Sequence, residues 1–370
     1  MKKRNIIRNL NLAKVNILII LIFIGITSCT GQKTNQEVFE AYKLRINGQA
    51  DSAKVLLTEI TDKTPENALA WFELCRTTEH IGRSNPRKIT ETLEETLLHI
   101  NKAIDLNPEN AKYLSYKGKI QTLQFYMALQ SGNENTSEYL PKIEETYTSV
   151  LELDPSYYEN KLTLVEFFGG LPAKMGGDIE KAEKYALELE QQDMISGAKA
   201  REILMPEDAD YEVYWKEIIK KAPENADAHQ ALGRVYLFLN EFDKANIQYQ
   251  KAIDIDPNNN ILYLDLGKYF VMMAMQKQAP MDSVVSLAEE QFNKFLNFSP
   301  EPLNPMKAWT YATLAMLHRR TGNKDLSEKY LKKAKSLDPY FSPSFGKPSR
   351  ILYSPPEDIV HYQSYYFSPF

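Results

Sequence analysis

Apolar and polar residues alternate along this chain at helical spacing, in pairs of short amphipathic stretches. The pairs recur with a period of 34 residues, most clearly from Ala226 to Asn259, ADAHQALGRVYLFLNEFDKANIQYQKAIDIDPNN. Each period predicts helix, turn, helix. Small residues (Gly118, Gly233, Gly267, Ala245, Ala252) allow paired helices to approach closely. Large ones (Trp71, Trp215, Tyr236, Tyr249, Phe292) fill the spaces between them. Pro108, Pro155 and Pro257 each follow an amphipathic run and end it, because proline lacks an amide proton and clashes with the preceding turn. Runs of period two are missing from the sequence, so sheet content should be near zero.

Carried outwards, the period divides the chain into about eight units: Thr34–Asn67, Ala68–Asn110, Ala111–Tyr157, Tyr158–Gln191, Gln192–Asn225, Ala226–Asn259, Asn260–Pro302 and Ala308–Phe341. Insertions fall around Arg83–Thr90, Ser131–Thr136 and Lys277–Ser283, and Gln192–Asn225 is degenerate. The spacing Leu232-Gly233, Tyr236, Ala245, Tyr249, Ala252, Pro257 resembles the tetratricopeptide repeat. That resemblance implies an all-α, right-handed solenoid of helix–turn–helix repeats over residues 37–341. One such unit cannot bury its apolar face alone, so it must stack on copies of itself. A stacked array is a binding surface, which favours a protein or peptide partner over catalysis.

The N-terminus carries a different pattern. Lys2, Lys3, Arg4, Arg8 and Lys14 precede an apolar run from Val15 to Ile26. The run is shorter than the ~20 residues that span a bilayer. A basic start, a short apolar middle and small residues afterwards predict a signal peptide over residues 1–28. Ile26-Thr27-Ser28-Cys29 resembles the lipobox of bacterial lipoproteins. The resemblance implies cleavage before Cys29 and lipid on that sulfur, with residues 29–36 as a polar tether. An ordinary cleaved signal with an incidental cysteine is the alternative. Thr30 stands where an inner-membrane retention signal would place Asp, and no acidic run follows. The expected location is therefore the periplasmic face of the outer membrane, held there by the lipid anchor.

Loss of residues 1–28 would remove five cations and no acid, so the formal charge of −5 becomes about −10. A net acidic chain does not suit a nucleic-acid binder. Cys75 is then the one thiol left, and its small-residue position predicts a buried, inert side chain. His80, His99, His229, His318 and His361 are scattered, without ligand partners at metal spacing. No phosphate loop or nucleophile elbow is present. The expectation is a non-enzyme without cofactor or metal.

Two features suggest where a partner would bind. In tetratricopeptide arrays the inner surface is lined by first helices, and one position past the Leu-Gly pair points inward. Here it holds Arg76, Lys119, Arg234 and Lys268, with Glu166 and Ala200 breaking the series. Such a stripe suits an acidic segment, since Arg pairs bidentately with carboxylates, unless neighbouring Glu and Asp neutralise it. The family's carboxylate-clamp proteins add Asn here, and this chain does not. The second feature is FFGGLPAKMGGDIEKAEKYA, Phe167–Ala186, with Gly169, Gly170, Gly176 and Gly177. It resembles a loop of some bacterial tetratricopeptide lipoproteins, including the T component of certain tripartite solute transporters. A small-molecule-binding component of an uptake system is thus the second reading, against a stacking spacer. The Met272, Met273 and Met275 group reads as soft packing. Residues 342–370 hold five prolines and seven aromatics, and read as an extended cap on the last helix pair, a partner-binding tail or a segment folded back into the groove.

Overall fold

The computed structural model describes residues 35–132, 136–257, 259–275, 281–341 and Pro356. The leader, Cys29, most of the tether, His361 and the rest of the 342–370 segment lie outside the described residues.

The fold is all-α. Sixteen α-helices follow one another among the described residues, with no strand. They are α1 (35–46), α2 (Ala50–Lys63), α3 (Ala68–Gly82), α4 (Ile89–Leu106), α5 (Ala111–Gln130), α6 (Tyr139–Leu153), α7 (Tyr158–Gly170) and α8 (Ile179–Gln192). Then come α9 (Met194–Leu204), α10 (Tyr211–Lys221), α11 (Ala226–Phe238), α12 (Phe242–Ile255), α13 (Leu262–Met275), α14 (Met281–Leu296), α15 (Asn304–Arg320) and α16 (Lys324–Leu337). Odd helices pack on the even helices that follow them, and hairpins stack in chain order.

The helix pairs close where a first-helix glycine meets a second-helix ring. A Cβ on Gly118 would lie 2.2 Å from the Tyr147 ring, and one on Gly267 would lie 2.3 Å from Phe292. Gly233 meets Tyr249 in the same way, less tightly, at 3.1 Å. Trp215, Phe292 and Phe295 are fully buried, and Tyr249 nearly so. The largest apolar core is continuous from α9 to α15, whereas the first half is divided into smaller clusters.

One unit departs from the plan. α9 packs against α7 and α8 far more than against α10, which turns instead to α11. This is the degenerate Gln192–Asn225 stretch. Gly197 explains the close fit: a Cβ there would meet the Glu190 backbone at 2.5 Å.

The two ends of the array meet. In the α1–α2 turn, Gly48 adopts φ +83, and a Cβ on it would fall 1.9 Å from the Leu337 carbonyl oxygen at the end of α16. Glycine is required there both by the left-handed backbone and by the approach. Around it, His80 of α3 pairs with Asp338 at 3.1 Å, both side chains buried. The Tyr340 hydroxyl donates to Asp51 at 2.5 Å. Asn304 Nδ2 reaches the Asn47 carbonyl at 3.5 Å.

Candidate functional site

The inner positions of the odd helices form two regions of different character. The first is a buried ion cluster on α1, α3 and α5. Glu73 accepts from Arg45 Nε at 2.8 Å and from Arg76 Nη1 at 3.1 Å, and all three side chains have no exposed surface. Nearly two turns further along α3, Glu79 accepts from Arg83 Nη2 at 2.6 Å, from Lys119 Nζ at 3.1 Å and from the Tyr116 hydroxyl. Burial alone would raise the Glu79 carboxyl. Lys119, Arg83 and the Tyr116 hydrogen bond reverse this and hold it well below the usual carboxylate range. Burial brings Lys119 down to about 8 against the opposing pull of Glu79. Burial also pushes the Cys75 thiol far up, so the only cysteine among the described residues is a packed, unreactive side chain.

The second region, on α7, α9, α11 and α13, is more open. Arg234 is 36% exposed and donates to Glu202 at 2.6 Å. Glu166 is half-buried. Burial raises its carboxyl to about 8, and nearby Arg234 pulls the other way. Lys268 is half-buried on α13. Ala200 is fully buried.

The four expected groove cations therefore do not form one exposed stripe. Arg76 is sealed and Lys119 nearly so, while Arg234 and Lys268 lie on the more open half. Arg76, Lys119 and Arg234 each face a carboxylate within 3.1 Å. The surface is ion-paired and mixed in charge. Glu73 and Glu79, three residues on either side of Arg76, are the signal for this in the sequence.

The Gly-Gly loop has conformational reasons for its glycines. Gly176 sits at φ +96 after the short turn Ala173–Met175. A Cβ on Gly177 would meet the Leu171 carbonyl oxygen at 1.8 Å, and one on Gly169 would meet the Leu204 side chain at 2.5 Å. Gly170 meets nothing within 4 Å. The loop returns the chain to α8, with Asp178 N donating to the Phe168 carbonyl at 2.9 Å.

The histidines among the described residues have protein partners. His80 pairs with Asp338, His229 with Gln248 and the Pro223 carbonyl, His318 with Glu289, and His99 lies against Thr78 and Trp71. No cluster of potential metal ligands occurs among the described residues, and no described helix is long and apolar enough to cross a membrane. A wide open hollow of about 560 Å³ is bordered by Tyr263, Glu290, Asn293, Lys294 and Phe298. A second hollow, of about 10 Å³ between Arg83, Lys119 and Tyr126, is too small for a solute.

Comparison with protein-family models assigns residues 226–259 and 310–341 to the tetratricopeptide repeat. The chain carries tetratricopeptide repeats. The first match covers α11 and α12, and the second covers most of α15 and all of α16. Solved structures similar to the chain include a tetratricopeptide repeat protein from Parabacteroides merdae, 15% identical, covering 83% of this chain and 93% of its own, with a TM-score of 0.34. A thermophilic tetratricopeptide protein from Thermus thermophilus is 17% identical, covers 64% and 99%, and has a TM-score of 0.37. MamA is 14% identical, covers 59% and 94%, and has a TM-score of 0.26. A search of curated proteins finds no match.

Proposed function

We propose that this protein is a non-enzymatic, lipid-anchored scaffold of the bacterial cell envelope, which docks a protein or peptide segment on the inner surface of its tetratricopeptide array. The observation that carries the reading is the open half of that surface. There Glu166, Arg234 and Lys268 occupy equivalent positions on α7, α11 and α13 and remain half-buried rather than sealed. Repeats present such surfaces by stacking. The mixed charge of this half suits a segment carrying both an acid and a base, in place of a purely acidic one.

The solute-binder alternative calls for a closed apolar pocket with a few polar groups. The hollows described above are one open and one smaller than a solute, and the Gly-Gly loop is occupied with its own turn. Both observations favour the scaffold. Anchoring rests on the N-terminal sequence, through Cys29.

Affinity capture from the native envelope tests the role. Reversing Arg234 and Lys268 to Glu is expected to weaken recovery of a partner while leaving the helical spectrum unchanged. Recovery unmoved by that reversal and by high salt removes the inner-surface reading. Cys29→Ala is expected to leave the precursor uncut or to shift the protein out of the membrane fraction, and normal maturation with detergent partitioning contradicts the anchor.

A further inference from the structure

Acids on the odd helices are of two kinds. Glu73 and Glu79 of α3, Glu202 of α9 and Asp227 of α11 each lie 2.7 Å or less from a lysine or arginine nitrogen. Glu166 of α7 does not. Its carboxylate makes no hydrogen bond or ion pair among the described residues, although the residue is half-buried. An acid withdrawn from water without a bonded cation loses hydration and gains nothing in return. A counter-charge brought from outside the chain would find it already part-desolvated.

The groups around Glu166 do not supply that charge. From α5, the half-buried Tyr126 ring packs on Phe167 with centroids 6.0 Å apart. Burial, with Glu166 second, pushes the Tyr126 phenol up to about 12, so it is neutral. From α6, the buried Tyr147 hydroxyl lies 3.2 Å from that of Thr122, and burial raises it too. α9 places the fully buried Ala200 at the equivalent position. No charge on α8 acts on Glu166 among the described residues. From α11, Arg234 is near enough to pull the carboxyl down, but its guanidinium donates to Glu202 at 2.6 Å. Two acids thus share one arginine. Burial prevails at Glu166 and raises its carboxyl to about 8.

We propose that Glu166 is the anchor point of the docked segment, taking a lysine or arginine side chain of the partner on the inner surface beside the Tyr126 ring. This rests on the scaffold reading and names the chemistry of its partner. Charge complementarity selects the base. A cation balances Glu166, Glu202 and Arg234 together and forms charge-assisted hydrogen bonds with the carboxylate, and an aromatic ring attracts it further. An acidic side chain at the same point would face two carboxylates.

Random displayed peptides selected on the full chain in detergent test this. Enrichment of lysine or arginine is expected. The selected peptides are expected to bind Glu166→Gln at least about tenfold more weakly than the parent, as for a lost charged hydrogen bond. Glu166→Asp keeps the charge and is expected to restore part of the affinity, which separates recognition from a folding defect. Only the ionised carboxylate takes the cation, so affinity is expected to rise as the pH approaches about 8 in the parent and to stay nearly level in Glu166→Gln. Lys119 loses its charge over the same range in both proteins, so the difference between them belongs to Glu166. Selected peptides without a base, binding untouched by Glu166→Gln, or an affinity in the parent that does not rise with pH each overturn the proposal. If such peptides still need Arg234 and Lys268, the scaffold reading survives. A selection that yields no binding peptide overturns both.

Discussion

Two glutamates show how position on this array decides the meaning of a charge. Glu79 is enclosed by Arg83, Lys119 and Tyr116. Its folded-state pKa is depressed, so its contribution to stability is full above the unfolded value of about 4.5 and is lost as pH falls below it. Glu79→Gln leaves two cations buried without their counter-charge, and a loss of about 3–5 kcal/mol in urea unfolding is expected. Glu166 behaves in the opposite sense. Its pKa is raised from 4.5 to about 8, so folding is most favoured below pH 4.5 and loses that support as pH rises to 8. Glu166→Gln is expected to melt higher than the parent protein at pH 9, with the gap closing below pH 5. A pH-independent difference in melting temperature contradicts this. The sequence sets Arg76 and Lys119 at one repeat position, but not their burial, which depends on Glu79 meeting a lysine 40 residues away.

At the scale of helices the sequence was more readable. The period marks Gly118 and Gly267 as close-approach positions and Phe292 as a gap filler, and the structure sets Gly118 against Tyr147 and Gly267 against Phe292. Gly267→Ala brings a Cβ to 2.3 Å from a fully buried ring. The helix propensity gain is at most about 1 kcal/mol, and overpacking costs about 1–3 kcal/mol. A net loss of stability is therefore expected in denaturant unfolding. Gly170→Ala has open space and is expected to be neutral or slightly stabilising. A repeated device at the turns went unread. Pro-Glu-Asn recurs at residues 65–67, 108–110 and 223–225, and each Asn caps the next helix: Asn67 to Ala70 N, Asn110 to Tyr113 N, Asn225 to Ala228 N. Asn225→Ala is expected to cost about 1 kcal/mol. The docking of α9 on α7 and α8 was also hidden, since it follows from the Gly197 contact with Glu190 rather than from any period.

At the scale of the molecule, the period implied a stack and left its ends unspecified. Closure comes from single contacts between residues more than 250 positions apart, Gly48 with Leu337 and His80 with Asp338, which no local pattern announces. Asp338→Ala strands a buried histidine, for which a cost of about 1–3 kcal/mol is expected. Exchange should then accelerate in α1 and α2 more than in α11 and α12, and equal acceleration everywhere contradicts a clasp.

Open arrays of stacked units gain or lose a unit with little penalty, because each touches only its neighbours. Here the last hairpin is also a neighbour of the first, and Gly48 accepts Leu337 with no room to spare. Removing or inserting any one hairpin would carry the two ends past each other and cost the clasp as well as the unit. The number of units in this protein is thus fixed by geometry, as the number of staves is fixed in a barrel.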